Sequence, residues 1–229
     1  MTNTDKKQFS IVSILALGVA ITWYIGLALT PTDQAMGEIY RVIYFHVPCA
    51  ITAFALAYVL FFASILSFRK SSNQSVYWGR AAAELGFVFT VLTLATGSIW
   101  GYPTWGVWWT WDARITTTFL LALLYAGYIL LYNGLPRGSK RTKACAILGI
   151  LIAVDVPIIY KSVTWWRTLH QPPSILREGG SSMDPEMLQA LLLNFGSIFL
   201  LTGGLLYLRV VNLNLASKLE AESYNAMES

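Results

Sequence analysis

Residues 42–68 read VIYFHVPCAITAFALAYVLFFASILSF, without a single Asp, Glu, Lys or Arg. About 20 mostly apolar residues suffice to carry a helix across the hydrocarbon core of a bilayer. A helix can do so because it satisfies its own backbone polar groups where no water is present. Outward from this stretch, five more runs qualify, at residues 9–30, 83–100, 115–132, 144–160 and 188–210, the middle ones close to the short limit. The composition agrees: 55% of the 229 residues are hydrophobic and 12% are charged, against about 25% charged in soluble proteins. A soluble globule, a disordered chain, a coiled coil and a nucleic-acid-binding module are thereby excluded. The expectation is an all-α integral membrane protein, with six transmembrane helices forming one polytopic domain over residues 1–229.

Basic residues in short loops set the orientation, because Lys and Arg stay on the cytoplasmic side. Eleven lie at the N-terminus (Lys6, Lys7), in the second loop (Arg69, Lys70, Arg80), in the fourth (Arg137, Lys140, Arg141, Lys143) and in the tail (Arg209, Lys218). The opposite loops hold five: Arg41, Arg114, Lys161, Arg167 and Arg177. Both termini are therefore expected inside, and residues 31–41, 101–114 and 161–187 outside. The first run follows Lys6 and Lys7 as a signal peptide would, but it exceeds the ~7–15 residues of a signal core, so it is read as a retained anchor. Cys49 and Cys145 stand far apart in apolar runs without a C-x-x-C, and read as small apolar residues. No Walker motif or glycine-rich nucleotide fingerprint is present, so the chain has no ATP site of its own.

The chemistry gathers on the outer side. Of nine tryptophans, Trp100, Trp105, Trp108, Trp109, Trp111, Trp165 and Trp166 fall there, five of them in WGYPTWGVWWTWDARIT (100–116) between the third and fourth spans. Gly101, Pro103 and Gly106 predict an irregular start to this loop. If the rest is helical, Trp105, Trp108, Trp109 and Asp112 share a face, with Trp111 turned away. Such a segment is either an interfacial anchor of indole rings or a flat aromatic platform for a large planar ligand. Both histidines, His46 in YFHVP and His170 in WWRTLHQPP, fall on the same side. Each alone reads as an ordinary hydrogen-bonded residue; beside an aromatic platform, two neutral imidazoles can supply the axial ligands of haem iron. Arg41, Arg114, Lys161 and Arg167 are then candidates for its two propionates, or contacts to lipid headgroups. Asp112 is a natural cap for the fourth span and can also orient the loop or a ligand group. Asp155 lies inside the fifth span, where a carboxylate calls for a partner such as Lys161, a wet cavity or a proton. Glu84 reads as interfacial.

The run WGVWWTWDARIT at 105–116 resembles the tryptophan-rich "WWD" signature of the haem-handling protein family. Six spans with one histidine in each flanking outer loop is similar to its cytochrome c maturation protein C (CcmC) branch, as are YFHVP at 44–48 and WWRTLHQP at 165–172. Ile115 stands where leucine is usual, and Asp155 where a neutral polar residue is usual; extra spans and histidines of the larger relatives are missing. The resemblance implies a haem-binding and transfer protein rather than an enzyme. It implies that haem b is held transiently by Trp105, Gly106, Trp108, Trp109, Trp111, Asp112 and Arg114, with His46 and His170 as axial ligands. It further implies presentation of haem to a membrane-anchored haem chaperone, beside an ABC transporter and a small membrane subunit. Lys6 and Lys7 before an early anchor, without an Arg-rich transit peptide, favour a bacterial inner membrane with the site on the periplasmic side. Three rivals remain: a b-type electron carrier, which needs a histidine ladder across the bilayer that two histidines on one side cannot build; a haem permease; and a structural subunit without haem.

Overall fold

The computed structural model describes residues 3–69, 72–171, 181 and 183–228; of the basic residues used for orientation, Lys70 and Arg177 lie outside them. The described residues form six α-helices: α1 (Asn3–Tyr24), α2 (Ile43–Arg69), α3 (Asn73–Trp105), α4 (Ala113–Gly134), α5 (Ser139–Trp165) and α6 (Pro185–Glu228). A π-helical turn at Ile25–Leu29 extends α1, and a 3-10 turn at Glu38–Val42 leads into α2. All six are long and apolar enough to cross a membrane, so the chain is a multi-pass membrane protein.

The helices outrun the apolar stretches that announce them. α3 begins at Asn73 rather than at 83, because Ser75, Tyr77, Gly79, Ala81 and Ala82 are buried on two sides of the helix. Hydropathy marks the part of a helix that lies in lipid; packing decides where the helix ends. At the other end of α3 the expected irregular stretch is helical through Trp105, with Pro103 inside the last turn. Proline's fixed φ is compatible with a helix, and its missing N–H costs one bond of the ladder, to the Ile99 carbonyl. The chain turns one residue later, at Gly106, whose φ of 76° is left-handed and whose N–H bonds the Tyr102 carbonyl at 2.8 Å. Only 106–112 is loop, and it is not helical, so no common helical face unites Trp105, Trp108, Trp109 and Asp112.

α2, α3, α4 and α5 form a four-helix arrangement in which α2 and α4 each pack on both α3 and α5. α6 lies against α2 and α3, with α1 outside it. Small residues allow close approach: a Cβ on Gly149 of α5 would stand 2.2 Å from Ser64 Oγ of α2. Polar side chains join α1 to α6, with Asn194 Nδ2 donating to the Thr22 carbonyl at 3.0 Å and Thr22 Oγ1 2.8 Å from Ser197 Oγ. The outward faces of α1, α2 and α6 carry Phe9, Ile14, Leu17, Phe62, Leu66 and Leu200, the surface that lipid covers.

At the end of the bundle away from the tryptophan loop 106–112, Glu84 joins α3 to α6, accepting from Arg80 Nε at 2.9 Å and Arg209 Nη2 at 2.9 Å. It is thus an interhelical ion-pair centre rather than only an interfacial residue. Asp155 is 4% exposed, and its Oδ2 has no hydrogen-bond partner among the described residues. No ion pair joins it to Lys161, whose ammonium lies 5.9 Å from the centre of the Tyr160 ring. Cys49 and Cys145 are buried free thiols.

Candidate functional site

His46 is the fourth residue of α2, one turn after the 3-10 segment that leads into that helix. His170 comes from a different part of the chain, the segment that follows α5. The fold brings both to one end of the bundle, with 6.5 Å between their ring centres and 36° between their planes. Between α2, α3, α4 and α5 at this end lies a cavity of about 410 Å³, within the ~300–1,000 Å³ range of small-molecule sites. Of the candidates named from sequence, His46, His170, Trp105, Trp108, Trp109 and Arg114 all line it. Gly106, Trp111 and Asp112 do not.

Each of those three has a visible role beside the cavity. Gly106 supplies the left-handed turn that ends α3 and sends the chain into the tryptophan loop. Trp111 is 71% exposed, with its ring edge-on to Trp109 at 5.4 Å and to Phe119 at 6.1 Å. Asp112 divides its carboxylate between two tasks. Oδ1 accepts from the Ile115 N–H at 2.9 Å and caps α4, as its position before the span suggested. Oδ2 accepts from Thr168 Oγ1 at 2.7 Å and from the Leu169 N–H at 3.1 Å. One carboxylate therefore clamps the segment that carries His170 onto the start of α4.

Arg114, two residues after Asp112, reaches across to α5. Its Nε donates to Ser162 Oγ at 2.9 Å and its Nη2 to the Tyr160 carbonyl at 3.1 Å, which pins the guanidinium to α5. Nη1 makes no hydrogen bond among the described residues and belongs to a side chain that lines the cavity, so a donor pair stays available to an anion. Arg41 is used differently: Nη1 donates to the Gly26 carbonyl at 3.2 Å and to Thr30 Oγ1 at 3.0 Å, and Nε to Glu38 at 2.5 Å. It closes the C-terminal end of α1 and its π-helical extension and does not line the cavity. Lys161 and Arg167 are exposed.

His170 Nδ1 lies 2.8 Å from the Gln171 carbonyl. Burial pushes its imidazole below the ordinary histidine range, and the nearby Arg114 cation pushes the same way. A depressed pKa keeps the ring neutral at neutral pH, with one nitrogen lone pair free. His46 meets the ring of Trp100 edge-on at 5.8 Å, and Trp100 in turn meets Tyr40 edge-on at 5.7 Å. His46 Nδ1 lies 3.0 Å from Thr96 Oγ1.

Several residues escaped the sequence reading. Gly97 makes room for His46, since a Cβ there would lie 3.0 Å from its Cε1. Ser162, wholly buried, anchors Arg114. Trp100, counted among the outer tryptophans but not assigned to the site, lines the cavity together with Tyr40 and Gln171. No spacing rule links Gly97 to His46 or Ser162 to Arg114, because each pair joins two helices far apart in sequence.

The likenesses to known proteins can be set against this geometry. Residues 1–225 match the family model described as Heme exporter protein C (CcmC). The chain is 38% identical over 193 residues to the Heme exporter protein C of Haemophilus influenzae, covering 84% of this chain and 78% of that one. It is 40% identical over 181 residues to the protein of that name from Bradyrhizobium diazoefficiens, covering 78% and 69% respectively. A putative cytochrome c biosynthesis ccmC-like mitochondrial protein of Marchantia polymorpha is 37% identical over 185 residues, covering 80% of this chain and 78% of that one. With the tryptophan loop and two histidines converging on one cavity and a match along nearly the whole sequence, the chain belongs to the Heme exporter protein C family.

Proposed function

We propose that this protein handles haem in cytochrome c maturation: it holds haem b as a transient cargo between His46 and His170 and presents it to a membrane-anchored haem chaperone for covalent loading. The carrying observation is the 6.5 Å between the two imidazole centres. A metal–imidazole bond of about 2 Å on each side, plus roughly the radius of each ring, places the centres of two axial histidines about 6 Å apart. The cavity at these rings offers aromatic walls from Trp105, Trp108 and Trp109, suited to a flat apolar macrocycle. Arg114, whose Nη1 meets no acceptor among the described residues, is the cation for a propionate.

The residues of this chain bind and orient; they do no covalent work. His46 and His170 fix the iron, Asp112 fixes the segment that carries His170, and Arg114 sets the carboxylate edge. The groups that react belong to haem and chaperone, so the protein acts as a transfer factor rather than as an enzyme. Release of the loaded chaperone then falls to an ATP-hydrolysing ABC transporter, with a small membrane subunit in the same assembly. The excess of basic residues around Arg137–Lys143 and on the tail supports placement in a bacterial inner membrane with the tryptophan end on the periplasmic side.

An absorption spectrum of the detergent-purified protein loaded with haem tests this reading. A low-spin, six-coordinate signal is expected. No haem binding at all, even with the chaperone trapped in complex, counts against it and favours a structural subunit. Asp112→Ala is a second check. It removes a cap of about 1 kcal/mol together with both bonds to 168–169. Haem affinity is expected to fall about tenfold, about 1.4 kcal/mol, with protease cleavage appearing near Arg167. Haem titration beside limited proteolysis reads both, and unchanged values for the variant would detach Asp112 from the site.

A further inference from the structure

Thr96 lies on α3, one residue before the Gly97 that clears space for His46. Its hydroxyl has a single proton, directed to the helix's own backbone: Oγ1 donates to the Leu92 carbonyl at 2.7 Å, with the Thr93 carbonyl at 3.2 Å. The same oxygen lies 3.0 Å from His46 Nδ1. With its proton committed to a carbonyl, which can only accept, the hydroxyl can meet Nδ1 only as an acceptor. The hydrogen of the neutral His46 ring therefore sits on Nδ1, and Nε2 keeps its lone pair. The second histidine obeys the same rule through a different partner, since the Gln171 carbonyl beside His170 Nδ1 has no proton to give.

We propose that Thr96 is a positioning residue of the haem site, its hydroxyl oxygen holding the His46 Nδ1–H so that the ring is locked in the tautomer that binds iron through Nε2. This rests on the bis-histidine reading above. Metal-binding histidines commonly donate their second ring N–H to an oxygen, which fixes the orientation of the ring and raises its basicity as a ligand. A more basic axial ligand favours ferric over ferrous iron, so Thr96 acts on the redox balance of the cargo as well as on its grip. Of the two locks, only this one is made by a side chain, and it is the one that substitution can remove. Threonine is suited to the role because a hydroxyl that bonds back to the i−4 carbonyl is held in one rotamer, which leaves its oxygen aimed without further support. Gly97 completes the arrangement by leaving the ring free to approach that oxygen.

The test compares Thr96→Ser, which keeps the oxygen, with Thr96→Ala, which removes it. Both are made in the full chain, purified in detergent, loaded with haem and titrated for midpoint potential beside the wild type. Thr96→Ser is expected to match the wild type. Thr96→Ala should keep a six-coordinate spectrum at a higher potential, its ferric-to-ferrous affinity ratio about tenfold lower, which is about 59 mV for a one-electron couple. Equal potentials in the Ser and Ala variants overturn the proposal. If Thr96→Ala retains too little haem to titrate, circular dichroism decides: a native helical signal with haem retained only by the serine variant upholds positioning, and lost helix content in the alanine variant overturns it in favour of a packing role. An unchanged spectrum in His46→Ala would sink the bis-histidine reading itself, an outcome separate from anything Thr96 does.

Discussion

The His46→Ala/His170→Ala double variant should keep its six helices and lose bound haem. Neither imidazole holds the bundle together. His46 bonds Thr96, whose hydroxyl is already satisfied by the Leu92 carbonyl, and His170 bonds only the carbonyl of the next residue. Their removal leaves no buried charge and no orphaned partner, so the helical signal and detergent melting temperature should stay close to wild type. For haem the consequence is large. Loss of an outer-shell partner of a metal ligand typically lowers affinity about 10–100-fold; loss of both ligands is expected to exceed about a hundredfold and abolish copurification. Each single variant should retain a weaker five-coordinate signal, held by the other histidine and the tryptophan walls. A double variant that still shows the full six-coordinate spectrum would remove both histidines from the site.

Gly86→Ala should damage the fold itself. A Cβ on Gly86 would lie 2.3 Å from Cζ and 2.6 Å from the hydroxyl of Tyr125. Tyr125 of α4 is wholly buried, and its hydroxyl donates to the Ala53 carbonyl of α2 at 2.9 Å. One ring thus joins three helices, and Gly86 is the recess that admits it. An alanine in a helix is intrinsically favoured by about 1 kcal/mol over glycine, but its Cβ would overlap a ring that is wholly buried. Overpacking costs about 1–3 kcal/mol, and a buried tyrosine hydroxyl driven off its acceptor adds roughly 1–3 more. The expected result is a net loss of about 1–5 kcal/mol, seen as a lower melting temperature and reduced yield in membranes. Gly127→Ala serves as the control, because its Cβ would meet only Leu148 Cδ2 at an ordinary 3.8 Å. Equal melting temperatures for the two variants would show that the Tyr125 recess does not hold α2, α3 and α4 together.

The readable part of this protein is the part that rests on one-dimensional rules. Predominantly apolar runs of bilayer length announce the six helices, since a helix satisfies its own backbone where lipid cannot. Asp112 before α4 was legible as a cap, because an N-cap involves residues three apart. His46 and His170 were legible as candidates because only two histidines exist and both fall on the tryptophan side. Local rules erred where packing takes over. Gly101 and Pro103 pointed to a loop, yet α3 runs through both, and its true stop is the left-handed Gly106.

Which of these residues meet is a matter of how the helices pack. Arg41 and Arg114 look equivalent as outer cations; helix ends and loop paths send the first to the Gly26 carbonyl and the second into the cavity. Asp112 was a cap by sequence and became a clamp on the His170 segment only because α4 and α5 pack side by side. Thr96 and Gly97 carry no motif at all, and matter because α3 lays them under His46. Membrane insertion, the helices and the list of candidate ligands follow from the order of residues alone, because burial of apolar length is a property of each segment. The spacing of the two imidazoles was decided by the packing of α2, α4 and α5 around one cavity, because a distance between residues so far apart in the chain is set by interhelical contacts that no single segment encodes.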